Sequence, residues 1–114
     1  MDKNERKEKL EAYRRRPVVG GVYAIINNIT GRKMLSLTTD IQGSSNRFKF
    51  SQSMNSCLHH RLKNDWNLHG GQSFRFQILE TIEKKEDQTD GQFMDDIKEL
   101  YEMTAPGIPA DRYE

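Results

Sequence analysis

Cysteine is nearly absent from this chain. Cys57 is the single example, so no intramolecular disulfide can form and a cysteine-built zinc site is excluded. No apolar run approaches the roughly 20 residues of a membrane helix, and the opening MDKNERKEKLEAYRRR has no apolar segment of signal-peptide type. The expectation is a cytoplasmic protein with no membrane partner. A surplus of either charge is missing too. Lys and Arg number 18 against 17 Asp and Glu, for a net charge of +1. The molecule as a whole therefore gives no electrostatic case for nucleic acid, although a local basic face stays open. With 114 residues, 34% of them hydrophobic, the chain can bury one modest core in one domain.

Charge dominates residues 1–17. Glu5, Glu8 and Glu11 alternate with Lys and Arg, which predicts a solvated helix or a basic arm ending at Arg14-Arg15-Arg16-Pro17. Alternation over 20–28 predicts a strand with Val22, Ala24 and Ile26 on one face and Tyr23 and Ile25 on the other. Asn28 to Arg32 supplies turn chemistry around Gly31, and 33–38 reads as the second strand of a hairpin. Residues 39–45 read as a loop, with Ser44 or Ser45 capping a helix that starts near Asn46. A break at Asn55-Ser56 leads to a second helix from Cys57 to about Asn67, its buried stripe formed by Leu58, Leu62 and Trp66. Gly70-Gly71 ends it. A third strand spans 74–82, with Phe74, Phe76 and Ile78 on one face. Thr89 and Gln92 match a capping box for a last helix carrying Phe93, Ile97, Leu100 and Thr104. The organisation expected is an arm at 1–17, a domain at 18–105 and an irregular tail at 106–114. The element order favours an α+β fold, a small antiparallel sheet covered by helices.

Several of these residues fall in a known order. Gly21-Val22-Tyr23, a hairpin, and then Met34-Leu35-Ser36 occupy the places of two tripeptides. Leu37 to Ile41 follows as a small-polar loop, and Arg47-Phe48 opens a helix. Leu62, Asp65-Trp66-Asn67 and Gly70 form a helix ending, and Phe74 to Glu80 a third strand. This series, over roughly residues 20–104, resembles the GIY-YIG nuclease superfamily. It is similar in particular to short bacterial members with a degenerate second motif, in which Met34 stands for the tyrosine and Ser36 for the glycine.

The resemblance implies a three-stranded antiparallel sheet flanked by helices and a DNA phosphodiesterase mechanism. Tyr23 would help to activate water, and Arg47 would stabilise charge on the phosphate. One Mg2+ or Mn2+ would be held by a glutamate of the last helix. Tyr101 falls where that glutamate is expected, and Glu102 is the nearest carboxylate, with Glu99 and Asp95 further off. Arg32, Lys33, Lys49, His60 and Lys63 are the candidate DNA contacts. Two readings follow: a nuclease-like domain acting on or binding DNA phosphodiesters, and a catalytically silent nucleic-acid-binding or protein-interaction module on the same scaffold.

Overall fold

An asparagine at the end of the first strand organises the turn that folds the chain back on itself. The computed structural model describes residues 17–108 and 112–113. In it, β1 (Val19–Asn27) is followed by β2 (Lys33–Thr38). Asn27 is fully buried. Its Oδ1 accepts from the backbone amides of Ile29 and Thr30, an Asx-type turn. Gly31 follows at φ 79°, a left-handed conformation that only glycine adopts without steric cost. β1 and β2 then pair antiparallel, with Tyr23 opposite Ser36 and Ile25 opposite Met34.

The third strand, β3 (Phe74–Glu83), pairs antiparallel with the other side of β1, so the sheet order is β2-β1-β3. The fold is α+β, a three-stranded antiparallel sheet flanked by helices. The β1–β3 register shifts between Val22, opposite Glu80, and Tyr23, opposite Ile78. Leu79 is thereby the extra residue of a bulge. Upstream of it, Phe74, Phe76 and Ile78 share the face of Tyr23. Leu79 itself packs on the opposite face. Gly21 sits beside this shift because a Cβ there would lie 2.1 Å from the Glu80 carbonyl oxygen.

Helices cover both faces, so β1 is buried along nearly its whole length. On one face Tyr23, Ile25, Met34 and Phe74 pack with Ile41, Phe48, Leu62 and Trp66. These come from α1 (Ile41–Ser53) and from the turn leading into α2 (Lys63–His69) with α2 itself. On the other face Ala24, Ile26 and Leu35 meet Tyr101 of α3 (Asp90–Thr104). The capping box of α3 forms reciprocally between Thr89 and Gln92, as the sequence predicts.

Two helix boundaries differ from expectation. α1 starts at Ile41 rather than near Asn46, and its cap is Asp40 rather than Ser44 or Ser45. The Asp40 Oδ1 accepts from the Gly43 amide at 3.0 Å. An aspartate at the N-cap outweighs the low helix propensity of Gly43. The second helix does not begin at Cys57. Asn55 takes φ 47°, His59 is extended, and a 3-10 turn at His60–Leu62 precedes α2. Leu62 and Trp66 are buried as expected, but Leu58 is 56% exposed.

The expected irregular tail contributes to the core. Tyr113 is buried among the residues of the first face. Its hydroxyl accepts from the Asn27 carboxamide nitrogen at 3.1 Å and donates to Asp65 at 2.5 Å. The Arg32 guanidinium lies 4.1 Å from the centre of its ring. The charged helix expected over residues 1–16 lies outside the described residues.

Candidate nucleic-acid interface

Strand alternation and the course of α1 bring the two principal candidates together. Tyr23 projects from the face of β1 that α1 covers, and its ring stacks on Phe76 at 4.6 Å between centroids. Phe48 of α1 lies 5.9 Å from Phe76. The preceding residue, Arg47, turns outward. Between them opens a cleft of about 210 Å³, lined by Tyr23, Ser44, Arg47, Phe48, His59 and Phe76 among others.

A chain of hydrogen bonds fixes the guanidinium. Arg47 Nη2 donates to Ser44 Oγ at 2.9 Å, and Ser44 Oγ donates to Thr38 Oγ1 at 2.8 Å. Thr38 Oγ1 also accepts from the Asp40 amide and donates to the Asp40 carbonyl. The arginine is thus tied to the end of β2 and to the helix cap at once. Only one of its nitrogens is engaged by Ser44, and among the described residues no ion pair offsets its charge. The remaining N–H donors can meet an anion in the fork geometry that suits phosphate.

His59 completes the cleft. Burial, and secondarily the charge of Arg61, lowers its pKa below the ordinary 6.5, so the imidazole is neutral at pH 7. The Cys57 thiol donates to the His59 carbonyl at 3.1 Å and helps to hold this extended segment. Sequence reasoning nominated His60, yet His60 is exposed and is not among the lining residues. The helix expected from Cys57 concealed the distinction. The chain changes from extended at His59 to a 3-10 turn at His60, and of the two only His59 lines the cleft. Ser44, expected as a cap, serves instead as the support of Arg47.

The other candidates lie elsewhere. Lys49 is exposed on α1 beside an adjoining groove that it shares with Arg75. Arg32 stacks on Tyr113 and sits 3.6 Å from Asp65. Lys33 backs the same tail, its carbonyl accepting from the Tyr113 amide. Lys63 is exposed at the start of α2. Glu102 is exposed on α3, which covers the opposite face of the sheet, and the structure does not bring it together with Tyr23 and Arg47.

Magnesium and manganese bind through oxygen, chiefly carboxylate. Among the described residues no carboxylate lines the cleft, and no group of three His, Cys, Asp or Glu side chains could hold a metal ion. The donors present, a phenol, a hydroxyl, an imidazole and a guanidinium, do not fit such an ion and do fit an anion. Among the described residues no helix is long and apolar enough to cross a membrane.

No protein-family model matches the chain, and no curated protein matches it either. Two solved structures are similar to it. One is the catalytic domain of the homing endonuclease I-TevI, at 22% identity and a TM-score of 0.49, covering 82% of this chain and 95% of that one. The second is a mutant of the catalytic domain of the intron endonuclease I-TevI. It has the same identity and TM-score and covers 84% of this chain and 92% of that one.

Proposed function

We propose that this chain is a nuclease-like domain whose cleft engages a DNA phosphodiester through Arg47, with Tyr23, Ser44 and His59 around the bound group. The observation that carries this reading is the convergence of Tyr23 and Arg47 on one cleft that no carboxylate of the described residues lines. A guanidinium braced by Ser44 can neutralise two phosphate oxygens with little loss of side-chain freedom on binding. The Tyr23 phenol and the neutral His59 imidazole add further hydrogen-bonding groups around the same space. The sequence resemblance to GIY-YIG nucleases implies that Tyr23 and Arg47 share a site, and the two residues line one cleft.

One observation favours the silent form of this reading. Among the described residues the cleft has no carboxylate to anchor a hard cation, and Glu102 sits on the far helix. The expected outcome is therefore DNA binding without strand cleavage.

The test is an anisotropy titration of labelled DNA at several salt concentrations, run beside a plasmid-nicking assay in Mg2+ and in Mn2+. Arg47→Ala should weaken binding about tenfold or more, as expected for loss of a charge-assisted hydrogen bond. Affinity unchanged by Arg47→Ala, or insensitive to salt, would overturn the proposal. Nicking that Arg47→Ala abolishes would establish a hydrolase instead of a binding module.

A further inference from the structure

We propose that the groove between α1 and the edge strand β3 is a base-binding subsite, which takes one unpaired base of the DNA strand whose phosphate lies in the cleft. This inference rests on the reading of the cleft given above. The two cavities differ in a way that assigns them different cargo. The cleft, at about 210 Å³, falls below the roughly 300–1,000 Å³ of ordinary small-molecule sites and suits a single phosphate group. The groove, at about 530 Å³, falls within that range. Phe48 and Phe76 line both cavities, so the groove adjoins the cleft and a strand with its phosphate at Arg47 has an attached base beside it.

The groove has the chemistry of a base site. Its apolar floor comes from one face of β3. Phe74 is buried there, Phe76 is half-buried, and Ile78 stays 51% exposed because the covering helix does not reach it. The Phe76 ring is held by stacking on Tyr23, so it is a rigid platform before any ligand arrives. Lys49 is exposed on one wall, a cation for the backbone. Arg75 donates to the neutral side-chain amide of Asn28, and among the described residues it makes no ion pair. Among the described residues no carboxylate lines the groove. Gln52 also borders it, but its amide already donates to the carbonyls of Gly71 and Phe74. It fixes the helix to the strand rather than reading a ligand. A base inside a duplex has both faces covered by its neighbours, so only an unpaired base can lie against Phe76 and Ile78.

The experiment compares two single-stranded oligonucleotides of equal length and charge, one carrying bases and one abasic throughout, by anisotropy titration of the full chain. The base-bearing strand should bind about tenfold tighter, within the range of base–aromatic stacking. Ile78→Ser, at an exposed position outside the cleft, should reduce that advantage toward unity while leaving abasic binding unchanged. Phe76→Leu, in the platform itself, should reduce the advantage as well. Equal binding of the two strands by the wild-type chain, with abasic binding still weakened by Arg47→Ala, overturns this inference alone. Binding of neither strand overturns it together with the reading of the cleft.

Discussion

The Tyr113 hydroxyl accepts from the buried Asn27 carboxamide and donates to Asp65. Tyr113→Phe keeps the ring and its contact with Arg32 but strands the Asn27 nitrogen without a partner. We expect a loss of about 1–3 kcal/mol, the cost of one buried unsatisfied donor, read from urea unfolding. A second residue gives stability a pH dependence. Burial, and then Arg61, lowers the folded-state pKa of His59 below 6.5, so the unfolded chain takes up its proton first as pH falls. The contribution of His59 is complete above about pH 6.5, declines below it, and levels off beneath the lowered folded value. His59→Gln should flatten that part of a stability-against-pH curve, with thermal melts from pH 5 to 8 as the measurement. An unchanged curve would show that His59 is not held neutral. At this scale the sequence singled out Tyr23 and Arg47 through a motif order, and the two line one cleft. It was not legible at His59 and His60, because two adjacent histidines are equivalent until the backbone conformation between them is known. Tyr113 lay beyond the last periodic segment, and nothing in its neighbours signals a contact with Asn27, 86 residues away along the chain.

Among the elements, α1 joins stability to the candidate site. Asp40 caps it, and the same first turn carries Ser44, the support of Arg47. Asp40→Ala should cost about 1 kcal/mol of stability, typical of a lost N-cap. It should also weaken DNA binding, because fraying this turn releases Ser44 from Thr38 and frees the guanidinium to wander. Chemical denaturation and a DNA titration on the same sample check both effects, and full retention of affinity would show that Arg47 needs no such brace. The strands were readable because alternation has a short, unambiguous period, and the hairpin because Gly31 marks its turn. The start of α1 was not, since Asp40, Gly43 and Ser44 are turn formers as well as first-turn residues. The segment at 57–62 misled for a different reason. Leu58, Leu62 and Trp66 recur at helical spacing, but Asn55 at positive φ breaks the path, and Leu58 faces solvent.

For the whole molecule, a net charge of +1 conceals a local clustering of cations that only folding produces. Arg47, Lys49 and Arg75 border a cleft and a groove that no carboxylate of the described residues lines. Asp95, Glu99 and Glu102 are exposed on α3, which covers the other face. In the sequence these charges are interleaved with others of both signs, so composition could not show the sorting. Binding to DNA should therefore follow the local cations and not the net charge. The logarithm of affinity should fall linearly with the logarithm of salt concentration, with a slope set by the number of phosphates neutralised. Lys49→Ala should make that slope shallower by about one, the signature of a single lost phosphate contact. Glu102→Gln changes net charge by the same amount in the opposite sense. Because it lies on the far face, beyond effective range at physiological ionic strength, it should leave both slope and affinity unchanged. Titrations of the two variants from low to moderate salt separate the cases. Equal and opposite shifts for the two would mean that DNA responds to total charge, and that the face formed by Tyr23, Arg47 and Lys49 is not where it binds.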